Sequence, residues 1–242
     1  MKAFFDAARA ALGPLTQSQV DGFNVLIAAS NDLPVRHQAY VLSTAWHETA
    51  HTMQPIYERG PRGYFEKYEP GTKLGKALGN TLDGDGYLFR GRGYVQLTGR
   101  RNYALAGSKL GLDLVGHPDK ALEPAIAARI IVAGMAQGWF TGKKLADYSV
   151  YGDMRRVVNG TDRAELIAGY AIAFEKGLLA AAREAVQPVP PPPVGIPPPP
   201  DVEPIPELLP PPPAGVGKGV AAVLITGAAA VLTVLAKVLG AI

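Results

Sequence analysis

The chain has 242 residues, of which 24 are lysine or arginine and 21 are aspartate or glutamate, so its net charge is only +3. This surplus is too small to indicate a nucleic-acid partner. The absence of cysteine excludes both a domain stapled by disulfides and a thiol nucleophile.

The first part of the chain predicts two helices in succession. Thr16 and Gln19 are spaced as in a capping box, which marks the start of a helix. Val20, Phe23 and Ile27 then recur at intervals of three and four residues, as on one face of a helix.

The second of these helices is predicted to begin near Pro34, which suits a first helical turn. An apolar stripe follows at helical spacing, made of Val35, Ala39, Leu42 and Trp46. At about 100° per residue, Glu48 lies about 220° round from Val35. We therefore expect Glu48 to point away from the core, toward a cleft or solvent.

Residues 53–103 differ from their surroundings, because they are rich in glycine, tyrosine and arginine. This composition predicts loops, with a short hairpin near residues 83–86. Long irregular segments inside compact domains are usually functional.

Two more helices are predicted beyond this segment. One begins at Pro124, and its inward residues are expected to be Ile126, Ile130 and Ala133. The other covers residues 162–184, with an apolar face formed by Leu166, Ile167, Tyr170 and Phe174. The predicted fold is mainly α-helical.

Residues 47–51 read His-Glu-Thr-Ala-His, which matches the HExxH pattern of zinc metalloproteases. A zinc site also needs a third ligand. The extended pattern would place glycine at position 54 and histidine at position 57, where this chain has Gln54 and Tyr57. A zinc metalloprotease is therefore the least favoured interpretation.

Glu48 and Glu58 are a second candidate for chemistry. Glycoside hydrolysis uses one carboxyl group to protonate the leaving oxygen and another to activate water or attack the sugar. Two glutamates alone are a weak signal, since most glutamates are solvated surface residues.

The segment 83–103 adds a third signal. Its glycines permit tight turns, and its Arg, Gln, Thr and Asn side chains offer many hydrogen-bonding groups. This mixture suits a groove that binds sugar hydroxyl and acetamido groups. Physics alone also allows a phosphate or nucleic-acid loop, because the Arg-Gly-Arg-Gly run is basic.

Four segments together resemble glycoside hydrolase family 19. They are Ala45-Trp-His-Glu-Thr49, Pro55-Ile-Tyr-Glu58, the Gly- and Arg-rich residues 85–103, and Val157-Val-Asn-Gly160. The resemblance covers roughly residues 20–180 and is closer to the lysozyme-like bacterial and phage members (endolysins) than to the plant chitinases. It implies a lysozyme-like α-helical domain over residues 1–186.

The resemblance implies a role for each matching residue. Glu48 matches the general acid and Glu58 the general base that activates water. Thr98 matches a residue that helps to hold this water. Matches to substrate-binding residues of the groove are Gln96, Asn102 and Asn159. Arg163 is the match to an arginine that pairs with a catalytic carboxylate, and we expect it, Arg90 or Arg92 to support the ionised base.

The implied function is an inverting hydrolase that needs no metal or other cofactor. Its expected substrate is peptidoglycan, as in an endolysin, and its partners do not include nucleic acid. Chitin is the alternative polymer. A protein that binds cell wall without cleaving it is the alternative of another class.

The end of the chain has an unusual composition. Residues 187–213 contain 15 prolines and predict an extended linker with a reach of up to roughly 80 Å. Residues 214–242 are mostly apolar and predict a membrane-associated or transmembrane helix. Because Asp6 and Arg9 interrupt the apolar N-terminus, we expect synthesis in the cytoplasm without a secretory signal, followed by action on the cell wall.

Overall fold

The computed structural model describes residues 1–186, so the predicted linker (187–213) and apolar tail (214–242) lie outside the described residues. Residues 1–186 form nine α-helices, joined by loops and short 3₁₀ turns. The helices are α1 (Lys2–Leu12), α2 (Gln17–Ala29), α3 (Val35–Glu48), α4 (Lys73–Ala77), α5 (Asp85–Leu88), α6 (Arg100–Leu110), α7 (Pro124–Gln137), α8 (Tyr151–Met154) and α9 (Ala164–Val186). The prediction of a mainly α-helical domain is confirmed.

A two-stranded antiparallel sheet is the other regular element of this region. Strand β1 (Ile56–Tyr57) pairs with β2 (Arg92–Gly93), with Ile56 opposite Gly93 and Tyr57 opposite Arg92. The sheet joins the segment that follows α3 to the Arg-Gly-Arg-Gly run.

Helix α3 is the central element of the core. It contacts α2, α7 and α9, and every residue from Gln38 to Trp46 is buried. The single apolar stripe predicted for α3 is therefore too narrow, because helices cover this helix on several sides. Aromatic rings bind the surrounding helices together: Phe23 lies 5.6 Å from Phe4, 5.3 Å from Phe174 and 5.9 Å from Trp46, measured between ring centroids.

The helix-start signals read from the sequence are confirmed. The Thr16 side chain accepts a hydrogen bond from the Gln19 backbone N–H, and the Gln19 side chain accepts one from the Thr16 backbone, as in a capping box. Pro124 opens α7, where Ile130 is buried while Ile126 and Ala133 are only partly buried.

Three predicted details are wrong. Residues 53–103 are not all loop, because α4, α5 and the start of α6 lie in this segment. No hairpin forms at residues 83–86; a turn leads into α5, and the buried carboxylate of Asp85 accepts hydrogen bonds from the backbone N–H groups of Thr81 and Leu82 and from Arg100. In α9, Leu166 is exposed while Ile167 and Phe174 are buried, so the buried face is rotated from the predicted one.

Helix α2 packs very closely against the loop that follows α3. A Cβ atom on Gly22 would lie 1.8 Å from the backbone oxygen of Met53. We expect Gly22→Ala to lower the free energy of unfolding by about 3 kcal/mol, because the backbone must shift to relieve this overlap. Urea unfolding would measure the change.

Gly169 in α9 is the matched control, because a Cβ atom there would meet nothing within 4 Å. Gly169→Ala should stabilise the protein by about 0.5–1 kcal/mol through the better helix propensity of alanine. Equal stability of the two variants would contradict the close packing at Gly22.

Candidate active site

A groove of about 520 Å³ lies between the end of α3, the β1–β2 sheet and the start of α6. Most of the residues predicted for the site line this groove. They are Glu48, Glu58, Gln96, Thr98, Asn102 and Asn159. Arg163 does not line it, and instead borders a separate depression with Arg156 and Glu165.

Glu48 is the last residue of α3 and is held by a buried arginine. Arg155 donates a hydrogen bond from Nη1 to Glu48 Oε1 at 2.7 Å, and only 3% of the Arg155 side chain is exposed. Arg155 also donates from Nε to the backbone oxygen of Asp162 at 3.0 Å, which fixes the plane of its guanidinium group. The arginine that pairs with this carboxylate is therefore Arg155, and the sequence prediction of Arg163 is corrected.

Glu58 follows directly after β1 and has a different environment. Its Oε1 accepts a hydrogen bond from the Tyr68 hydroxyl at 2.9 Å, and its Oε2 accepts one from the Gly91 backbone N–H at 3.1 Å. The nearest cation is Lys67, whose Nζ lies 3.9 Å from Oε1. Two donors at fixed positions therefore orient this carboxylate.

Tyr68 was not predicted from the sequence. Burial, together with its hydrogen bond to Glu58, raises the pKa of the Tyr68 hydroxyl well above its usual value. The hydroxyl therefore keeps its proton and remains a donor to Glu58 throughout the physiological pH range.

Gly91 must lack a side chain for this arrangement. A Cβ atom on Gly91 would lie 3.0 Å from the Cβ atom of Glu58 and 2.9 Å from Oε1 of Gln96. The glycine thus lets the backbone approach Glu58 closely enough to donate its N–H.

The arginines expected beside the base are elsewhere. Arg92 is buried and pairs with Asp119, with 2.9 Å between Nε and Oδ1. The guanidinium group of Arg90 stacks on Tyr87 and Tyr57. Neither forms an ion pair with Glu58 among the described residues.

The polar residues of the groove hold one another in place. The Gln96 amide donates from Nε2 to the backbone oxygens of Ile56 and Gly93, at 3.0 and 3.1 Å. The Thr98 hydroxyl donates to the backbone oxygen of Gln96 at 2.8 Å, and the Asn102 amide donates to that of Thr98 at 2.7 Å. These bonds occupy donors of Gln96, Thr98 and Asn102, so their side-chain oxygens remain as acceptors.

Asn159 also lines the groove, and it follows the 3₁₀ turn that carries Arg155. Its backbone N–H donates to the Arg155 backbone oxygen at 3.0 Å, and its side-chain oxygen accepts from the Gly160 N–H at 2.9 Å. The segment that presents Arg155 to Glu48 therefore also presents Asn159 to the groove.

The HExxH pattern does not form a helical metal site. Helix α3 ends at Glu48, and Ala50 and His51 have φ values of 50° and 69°, so His47 and His51 do not share a helix face. The His51 ring instead stacks on Trp46, with 4.8 Å between centroids. Within residues 1–186, no group of three His, Asp or Glu side chains is arranged to hold a metal ion.

We expect chelation by EDTA to leave activity unchanged and His51→Ala to keep most of it. Removing the stacked ring should cost at most about 1 kcal/mol of stability. Lytic or sugar-release assays with and without EDTA, beside metal analysis of the purified protein, would test this. Stoichiometric zinc together with loss of activity on chelation would restore the metalloprotease interpretation.

Comparison with known proteins gives relatives of one kind. Chitinase 8 of Oryza sativa subsp. japonica is 30% identical over 118 residues, which cover 44% of this chain and 41% of the rice protein. Chitinase 11 of the same plant is 49% identical over 45 residues, 18% of each chain. The chain thus aligns with less than half the length of these relatives. No family model matches it.

Solved structures show the same fold. Chitinase C from Streptomyces griseus superposes with a TM-score of 0.52 at 17% identity, covering 72% of this chain and 75% of that one. A bacterial family 19 chitinase superposes with a TM-score of 0.52 at 20% identity, covering 74% and 94%. The chain therefore has the fold of the family 19 chitinases, and the resemblance to glycoside hydrolase family 19 read from its motifs is confirmed.

Proposed function

We propose that this protein is a glycoside hydrolase that cleaves β-1,4 bonds of an aminosugar polymer with inversion at the anomeric carbon. The observation that carries the proposal is that Glu48 and Glu58 line one groove and have different partners. Two carboxyl groups in different environments are what acid and base roles require.

In the proposed reaction, Glu48 delivers its proton to the glycosidic oxygen as the bond to the anomeric carbon breaks. Arg155 stabilises the Glu48 carboxylate that remains. Glu58, oriented by Tyr68 and Gly91, takes a proton from a water molecule, whose oxygen bonds to the anomeric carbon from the opposite face. Thr98 helps to hold this water. An inverting enzyme separates its carboxyl groups by about 6.5–9.5 Å to make room for it.

Peptidoglycan is the proposed substrate, cleaved in the manner of an endolysin during cell-wall breakdown or host lysis. The support is the likeness of the motifs to the lysozyme-like members of the family. Gln96, Asn102 and Asn159 would bind sugar hydroxyl and acetamido groups. Chitin is the second candidate, because the relatives named above are chitinases.

Mass analysis of products from purified peptidoglycan and from chitin oligosaccharides tests this proposal. We expect peptide-bearing disaccharides with intact reducing ends from peptidoglycan, released faster than sugars from chitin. Release from chitin alone would identify a chitinase. Failure to cleave either polymer, with tight binding to one of them, would indicate a binding protein without catalysis.

We also propose that the chain associates with membranes through its apolar tail. Residues 220–236 carry no charge and are flanked by Lys218 and Lys237. At 1.5 Å per residue such a helix is slightly shorter than a hydrocarbon layer of about 30 Å, and the lysines can reach the two interfaces. Within residues 1–186, no helix has the length and apolar character of a membrane span.

Fractionation of the full chain and of residues 1–186 tests this association. The full chain is expected with the membranes, because the tail can bury its apolar side chains there. The shorter chain should stay in the soluble fraction and still cleave the isolated polymer. Full-length protein found wholly in the soluble fraction would contradict the role of the tail.

A further inference from the structure

Another cavity, of about 610 Å³, shares no lining residue with the groove. Three arginines line it, Arg62, Arg90 and Arg92, together with Tyr87. The proposed hydrolysis uses none of these side chains.

Stacking on tyrosine rings holds the three guanidinium groups in a row. Arg62 lies 4.7 Å and Arg90 4.0 Å from the centroid of the Tyr87 ring, measured from the guanidinium carbon. Arg90 and Arg92 lie 4.5 and 5.1 Å from that of Tyr57. Stacking covers the flat face of a guanidinium group and leaves its edge N–H groups available for hydrogen bonds. The arginines are therefore ordered before any ligand arrives.

The charges of this cavity are only partly balanced. Arg92 pairs with Asp119 through Nε, and its Nη1 donates to backbone oxygens and to Tyr103. Arg62 and Arg90 form no ion pair within residues 1–186, and Arg90 makes only a hydrogen bond to the backbone oxygen of Tyr87. Asp83 also lines the cavity. The three arginines and two aspartates that line the cavity therefore leave a net charge of +1. Arg62 and Arg90 keep N–H groups available for hydrogen bonds.

We propose that this Arg–Tyr cavity binds a carboxylate of the peptide stems that peptidoglycan strands carry. A planar carboxylate matches the paired N–H donors of an arginine edge. This inference rests on the proposed function and narrows it, because chitin is uncharged and offers no such group.

The backbone connects this cavity to the groove. Tyr57 directly precedes Glu58, and Arg90 directly precedes Gly91, whose N–H binds Glu58. A peptide stem extends by about 3.5 Å per residue, so a stem of a few residues can leave a bound sugar and reach a neighbouring cavity. Sugar in the groove and carboxylate in the Arg–Tyr cavity would then belong to one substrate.

Initial rates of the full chain and of Arg62→Gln test the proposal on two matched substrates. One is peptidoglycan strands with their stems, and the other is the same strands after an amidase has removed the peptides. We expect Arg62→Gln to raise KM about tenfold on the first substrate, since a charge-assisted hydrogen bond is lost, with kcat unchanged. On stripped strands the two proteins should be equal.

Arg183→Gln is the matched control, because it removes an equal charge from an exposed position of α9. It should leave KM unchanged on both substrates. Added salt should raise KM of the unaltered protein on stem-bearing strands and have less effect on Arg62→Gln. Arg62→Lys, which keeps the charge without the planar edge, should give an intermediate KM.

Three results would overturn the proposal. An equal rise in the KM of Arg62→Gln on both substrates would mean that Arg62 only supports the fold near Glu58. An unchanged KM on both substrates would mean that the cavity binds no part of the substrate. A rise in KM that follows the phosphate content of the strands would mean that the cavity binds phosphate instead of stem carboxylates. Failure of the unaltered protein to cleave either substrate would instead count against the proposed function.

Discussion

Glu48→Gln is expected to reduce the rate of sugar release by at least about 10²-fold, the usual value of general acid–base catalysis. Glutamine has nearly the same shape, but it has no carboxyl proton to deliver to the leaving oxygen. Its side-chain oxygen can still accept the hydrogen bond that Arg155 now donates to Glu48 at 2.7 Å, so the fold should be unaffected. Reducing-end assays on purified cell wall, with thermal unfolding of both proteins, would measure the two effects.

Glu66→Gln is the matched control for this variant. Glu66 is an exposed glutamate that does not line the groove, so the same chemical change there should leave the rate unaltered. Near-normal lysis by Glu48→Gln, at unchanged stability, would remove Glu48 from the role of acid.

Glu58→Gln should be similarly damaging, with a loss of at least about 10²-fold, because an amide cannot take a proton from water. Tyr68→Phe offers a graded comparison. It keeps the carboxylate and removes only the hydroxyl donor that lies 2.9 Å from Oε1, so we expect a loss of about tenfold. Initial rates on the same polymer would rank the two variants.

The stereochemistry of the first-formed product tests the same residue from another direction. If Glu58 acts on water and not on the sugar, the initial product of the unaltered protein has the inverted anomeric configuration. Proton NMR recorded during the first turnovers would identify the anomer. A retained anomer, or an anhydro-sugar, would require a covalent or intramolecular step in place of the activated water.

Four of the nine described helices, α2, α3, α7 and α9, could be predicted because their signals are local. The capping box at Thr16 and the proline at the start of α7 act within a single turn, and both appear as expected. Burial is less local. The sequence pattern places both Leu166 and Ile167 on the apolar face of α9, because neighbouring residues lie only about 100° apart around a helix. Contact with α1 and α3 decides that Ile167 faces inward and Leu166 outward.

The catalytic candidates could be named from motifs, but their supporting residues could not. Arg155 reaches Glu48 from a 3₁₀ turn that has no periodic pattern of its own. Tyr68 reaches Glu58 from another 3₁₀ segment, Arg62–Tyr68, which returns toward the end of β1. Both contacts depend on the three-dimensional path of irregular chain. A spacing pattern could suggest that Arg155 lies near Asn159, but not which carboxylate it contacts.

The packing of α1 against α9 affects how the protein is made. The apolar residues of α1, among them Phe4 and Phe5, have their main partner in the last helix of the domain. A ribosome releases α1 first and α9 last, so the growing chain holds an unpaired apolar helix for most of its synthesis. Bringing α1 and α9 together costs conformational entropy of the long chain between them, and only the packing of α9 can offset this cost. We therefore expect arrested nascent chains of increasing length to resist protease only after α9 has emerged from the ribosome.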